Sequence, residues 1–70
     1  MLARWETKRK KHWLELYRDQ WGYSYKTNNG GGFMGNITQS EALDRCLQIV
    51  QQLKTDGFNL IRCKDAVEVG

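Results

Sequence analysis

Thr38-Gln39-Ser40-Glu41 sets a threonine three residues ahead of a glutamate, directly before an apolar run. At that spacing the Thr38 hydroxyl accepts from the amide of Glu41, and the Glu41 carboxylate accepts from the amide of Thr38. Two N–H groups that a helix start leaves open are closed in this way. Ala42, Leu43, Cys46, Leu47, Ile49, Val50 and Leu53 then recur at helical period, with Glu41, Asp44, Arg45, Gln48, Gln51 and Gln52 mostly on the other side. Gly57 suits the left-handed conformation that ends a helix, and Phe58 can fold back on the last turn. The spacing predicts one amphipathic helix over residues 39–56, and the rest of the chain has to be arranged around its apolar stripe.

What precedes the helix reads as sheet. Trp21-Gly22-Tyr23-Ser24-Tyr25-Lys26-Thr27 alternates aromatic with small or polar residues, the period of a strand with one well-filled face. Asn28-Asn29-Gly30-Gly31-Gly32 is a turn signal, and Phe33-Met34-Gly35-Asn36-Ile37 is the return strand of a hairpin. The segment His12 to Arg18 fits two readings. As a helix, Trp13, Leu14, Leu16 and Tyr17 share a face. As a strand, Leu14 and Leu16 lie on one face and Trp13, Glu15 and Tyr17 on the other. The strand is favoured because a third strand makes a marginal two-stranded hairpin viable. After the helix, residues 58–63 read as a short strand, and residues 66–69 either extend it past Lys64-Asp65 or form a frayed tail. The expected fold is α+β: a three-stranded antiparallel meander packed by one α-helix, with a short C-terminal strand. All 70 residues form one small domain, and residues 1–11 are either a basic N-terminal arm or an extension of the first strand.

A chain of this size buries only about 60% of the surface its unfolded form exposes, so its core is thin. No staple is evident. Zinc takes about four ligands, and His12, Cys46 and Cys63 do not supply them. A Cys46–Cys63 disulfide is disfavoured because nothing points to secretion. No apolar run approaches the roughly 18 residues of a membrane span, and Met1-Leu2-Ala3-Arg4-Trp5-Glu6 lacks the apolar core of a signal peptide. The expected setting is cytoplasmic, with no membrane and no cofactor. Catalysis is also disfavoured: the one histidine, His12, sits beside cations, and no Ser or Cys has an evident base.

Charge is the most local signal. Of the net +3, residues 1–12 carry Arg4, Lys8, Arg9, Lys10 and Lys11 against Glu6 alone, and the other residues carry six basic and seven acidic side chains. The whole positive excess therefore sits at the N-terminal end. Trp5, Trp13 and Trp21, the only tryptophans, fall in the same third of the chain, with Tyr17, Tyr23 and Tyr25 beside them. Cations grip phosphates and flat rings stack on bases. One helix covers only one face of a sheet, so some of these rings are expected on an open face or in a partner interface. The glycine-rich stretch lacks the order of a P-loop or a dinucleotide fold and reads as a hairpin turn.

Three strands followed by a helix, with Gly35-Asn36-Ile37-Thr38-Gln39-Ser40-Glu41-Ala42 as the strand-to-helix junction, resembles DNA-reading modules such as plant AP2 domains and the arm-binding domains of phage integrases. The likeness covers residues 12–53 and lies in element order. The Arg and Trp pattern of the AP2 sheet is not reproduced. It implies a sheet presented to nucleic acid.

The expectation is a small basic nucleic-acid-binding protein, DNA or RNA, using Arg4, Lys8, Arg9, Lys10, Lys11, Trp13, Tyr17, Tyr23, Tyr25 and Lys26. The alternative is a protein–protein interaction module that meets an acidic surface through the same residues, with a homodimer as one form of it.

Overall fold

The computed structural model describes residues 1–63. It contains β1 (Ala3–Glu6), β2 (Trp13–Asp19), β3 (Gly22–Thr27), β4 (Gly30–Gly35), α1 (Gln39–Thr55) and β5 (Ile61–Arg62). The five strands form one sheet in the order β4-β3-β2-β1-β5, antiparallel at every pairing. The chain makes a four-stranded meander, then α1 carries it across one face, and β5 is added beside β1.

The expected three-stranded meander is therefore wrong by one strand. Residues 1–11 hold no arm: Ala3–Glu6 is an interior strand paired on both sides, and residues 8–12 turn the chain into β2. The strand is short, and its two charges disguise it. Ala3 and Trp5 alternate with Arg4 and Glu6, so that the first pair is buried and the second lies on the opposite face. The AP2-like element order falls with the three-strand count.

The β2 segment takes the strand reading, with Leu14 and Leu16 fully buried on one face. In the next hairpin the turn is shorter than expected. Asn28 and Asn29 form it, and Gly30, Gly31 and Gly32 are already strand. Gly31 lies flush against its neighbour, because a Cβ there would stand 2.2 Å from the Tyr25 carbonyl oxygen. A register shift between Tyr23 and Ser24 then bends β4.

The helix forms as its caps dictate. The Glu41 amide donates to Thr38 Oγ1 at 3.1 Å, and the Thr38 amide donates to Glu41 Oε1 at 3.2 Å. At the other end Gly57 takes φ +100°, its N–H donates to the Lys54 carbonyl, and the Phe58 N–H donates to the Leu53 carbonyl. That double bond is the Schellman closure. α1 packs across β2 and β3. Its contact face is built on the small residues Ala42 and Cys46, both fully buried, while Leu47 from the same stripe is 50% exposed. Small side chains let the helix sit close to the sheet, and that closeness turns the edge of a wide stripe outward.

The core gathers Ala3, Trp5, Leu14, Leu16, Tyr23, Ala42, Cys46 and Leu60 between helix and sheet. The opposite sheet face is covered by no other described element. Cys46 and Cys63 are free thiols. The expected strand over residues 58–63 shortens to Ile61–Arg62, with the Cys63 amide still donating to the Arg4 carbonyl. The expected extension or tail over residues 66–69 lies outside the described residues. Among the described residues, no helix is long and apolar enough to cross a membrane.

Candidate functional site

Alternation along the strands places Arg4 and Glu6 of β1, Trp13, Glu15 and Tyr17 of β2, and Ser24 and Lys26 of β3 on the uncovered face. Glu15 is directly opposite Arg4 on one side and Lys26 on the other, and Lys26 is opposite Gly31. Charges therefore alternate across the middle of this face. Opposite charges facing each other across strands are mutually supporting.

Arg4 is tied down. Its guanidinium donates to Glu6 Oε2 at 3.2 Å and also to Glu15 Oε2. Burial works against its charge, yet the hydrogen bond to Glu6 and the charge of Glu15 hold its pKa above the ordinary value. Desolvation also opposes ionisation of Glu6, but the Cys63 thiol and Arg4 keep its carboxyl below the ordinary range. The Tyr17 hydroxyl donates to Glu15 Oε1 at 2.5 Å. Two rings on this face lie under cations: Arg4 is 5.3 Å from the centroid of Trp13, and Lys26 Nζ is 5.1 Å from that of Tyr17.

Toward β4 the face opens into a groove of about 410 Å³. Trp13 stands on one side of it. Ser24 and Lys26 border it, and Gly30, Gly31 and Gly32 line it with backbone alone. The β1–β2 loop lies at the same end of the sheet as the β3–β4 turn, because Glu6 pairs with Trp13 and Leu14 pairs with Thr27. The two loops are joined where the Trp13 amide donates to Asn28 Oδ1 at 3.1 Å. Lys8, Arg9, Lys10 and Lys11 are all exposed in the first of these loops. Its turn is closed by the Lys10 amide on the Thr7 carbonyl and the Thr7 amide on the His12 carbonyl, with Lys10 at φ +60°. His12 stacks on Phe58, ring centroids 3.9 Å apart.

The structure brings Lys8, Arg9, Lys10, Lys11, Trp13 and Lys26 to one end of the open face, with Arg4 and Tyr17 further along it. It does not bring Tyr23 there, and Tyr25 borders the groove while packing against the core on the helix side. Tyr23 is 7% exposed in the core, and Tyr25, opposite Leu16, packs against that core. The same alternation that marks them as a filled strand face puts them under the helix. Sequence reasoning misses Glu15, Glu6, Asn28 and the three glycines as parts of this surface. Glu15 is within its reach, since the strand reading of β2 sets it between Trp13 and Tyr17. Among the described residues, no group of three or more His, Cys, Asp or Glu side chains is placed to hold a metal ion.

Compared with known proteins, the chain matches no family model, no curated protein and no solved structure.

Proposed function

We propose that the chain binds nucleic acid, taking phosphates on the β1–β2 loop through Lys8, Arg9, Lys10 and Lys11, with Lys26 extending the cationic surface along the open face. The observation that carries this reading is the position of the loop. Four exposed cations, held in a closed turn, lie at the same end of the sheet as the β3–β4 turn, whose flanking strands line a groove together with Trp13. Cations so placed release counterions from a phosphate chain, which makes affinity depend on salt. Arg4 has a different part. Glu6 and Glu15 take up its charge, so it orients Trp13 instead of meeting a phosphate.

The test is fluorescence anisotropy with labelled, mixed-sequence DNA and RNA over a salt series. Binding whose affinity falls with salt, with a slope of about −3 for four phosphates, supports the reading. Replacing Lys8, Arg9, Lys10 and Lys11 by Ser should flatten that slope. Absence of binding at low salt with either polymer sinks it.

One observation favours a second reading, a protein interface. Trp21 is 68% exposed at the tip of the β2–β3 turn, at the end of the sheet away from the basic loop. A bare tryptophan has no part in phosphate binding and is a common anchor at protein contacts. Sedimentation equilibrium tests its simplest form, a pair of like chains: self-association lost in Trp21→Ser supports it, and a monomer at all concentrations removes it.

A further inference from the structure

The geometry points to single-stranded nucleic acid as the ligand class, with an unpaired base seated in the groove between Trp13 and the glycine strand. This inference rests on the phosphate-binding reading above and narrows it.

Three features of the groove lead there. Its wall is an indole that carries Arg4 over the ring, on a backbone tied to Asn28. A ring held in place before binding loses little freedom on binding. Of the glycines that line the groove, Gly31 is the one that alternation places on this face, opposite Lys26, and it adds no side chain there, so a flat ring can approach the backbone. Among the described residues β4 is also the edge of the sheet, so its outward N–H and C=O groups pair with no described strand.

Charge complementarity sets the occupant. Lys26 lines the groove, and the exposed cations of residues 8–11 lie in the loop at the same end of the sheet. A ligand that fills it must bring a flat apolar ring and an anion close to each other, which is the chemistry of a nucleotide. Duplex nucleic acid offers the anions but keeps its ring faces stacked inside. Single strands expose theirs, and proteins take them on aromatic side chains beside a basic groove.

The experiment compares oligo-dT and oligo-rU with a duplex of equal phosphate number, at one salt concentration and then over a series. The proteins are the parent chain, Trp13→Ala, Trp13→Phe and Ser24→Leu, each checked for the parent's circular dichroism and urea midpoint. Ser24→Leu puts a larger side chain on the groove lining and leaves every cation and Trp13 unsubstituted. The expected result is tighter binding of at least one single strand than of duplex. Trp13→Ala should lower single-strand affinity roughly 5- to 150-fold, the range for one base stacked on an aromatic ring, with the salt slope unchanged. Ser24→Leu should act in the same direction, and Trp13→Phe should retain most of the affinity. In a Trp21→Phe background, where Trp13 is the one partly exposed tryptophan left, its fluorescence should be quenched by the single strand and not by the duplex. Equal binding of strand and duplex, indifferent to Trp13→Ala and Ser24→Leu, overturns the groove assignment and leaves phosphate binding by the loop intact. No binding of either polymer overturns both.

Discussion

The Trp13 amide and the Asn28 side chain stand in for a rung of the sheet. Leu14 pairs with Thr27, so the next rung outward would join Trp13 to Asn28, and there Asn28 Oδ1 accepts the Trp13 N–H at 3.1 Å. The chain has begun to turn at Asn28, and a side-chain oxygen replaces the ladder carbonyl. Asn28→Ala should make the Trp13 amide exchange faster with solvent and cost about 0.5–1.5 kcal/mol, the usual worth of such a bond. Amide hydrogen exchange followed by NMR reads it directly. Unchanged exchange at Trp13 would show that the rung has no such role.

Acid should destabilise the domain through two carboxylates. Glu41 titrates below its ordinary value because the Thr38 amide and hydroxyl bond to it. Glu6 is also lowered, its desolvation outweighed by the Cys63 thiol and Arg4. A carboxyl whose pKa is lower folded than unfolded binds fewer protons in the folded state over the acid range. Stability should therefore rise with pH up to the ordinary carboxylate value and level off above it. It should be lost as pH falls through the lowered folded values. Urea midpoints measured from about pH 2 to pH 7 should show this slope, and Glu41→Gln should make it shallower. An identical slope in that variant would remove Glu41 from the account.

The two thiols should differ in reactivity. Burial pushes the Cys46 thiol up to about 11, and it is fully buried. Cys63 is half-buried, raised by burial and then by Glu6. With a thiol-specific reagent at mildly alkaline pH, Cys63 should react first. Cys46 should wait for opening of the fold, roughly a thousandfold slower than a free thiol or more. Mass spectrometry of timed aliquots separates the two sites, and equal rates would contradict the burial of Cys46.

Packing on the two sides of the sheet should fail by different routes. Leu16 is fully buried, and Leu16→Ala should cost about 2–5 kcal/mol, a large share of what a domain this small holds. At Gly31 the added methyl of alanine meets the Tyr25 carbonyl oxygen at 2.2 Å. Gly31→Ala should cost about 1–3 kcal/mol by overpacking. Asn29→Ala, at the exposed turn beside it, should fall within about 0.5 kcal/mol of the parent. Urea denaturation ranks the three, and a neutral Gly31→Ala would mean that the β3–β4 pairing is looser than its register implies.

The helix is fully legible in the amino-acid sequence, because its signals are local. The capping box, the stripe and Gly57 each act within a turn or two, and the observed caps match them. The alternation of β2 is legible for the same reason. β1 is not, because nothing within Ala3-Arg4-Trp5-Glu6 shows that Glu15 waits on the neighbouring strand to neutralise Arg4. A strand whose exposed charges are balanced across the sheet looks, along the chain, like part of a basic run. The same long-range pairing decides the site. Arg4 reads along the chain as a free cation and is committed in the fold, while Tyr23 and Tyr25 lie on the helix side. The cations of residues 8–11 keep their exposure in the hairpin loop, although the charge of Lys10 still acts on Glu6.

β5 touches β1 only after the helix has carried the chain from one margin of the sheet to the other. The rungs joining β1, β2, β3 and β4 all close short loops, while Glu6–Ile61 and the Cys63 amide on Arg4 join opposite ends of the chain. Short loops close first and long ones follow. The meander should thus zip early, leaving β1 as a temporary rim with Trp5 bare along it. Arg62, 5.0 Å from that ring, is the cover that arrives last. During synthesis or refolding this late arrival should leave the rim of β1 open, for a time, to pairing with the wrong neighbour.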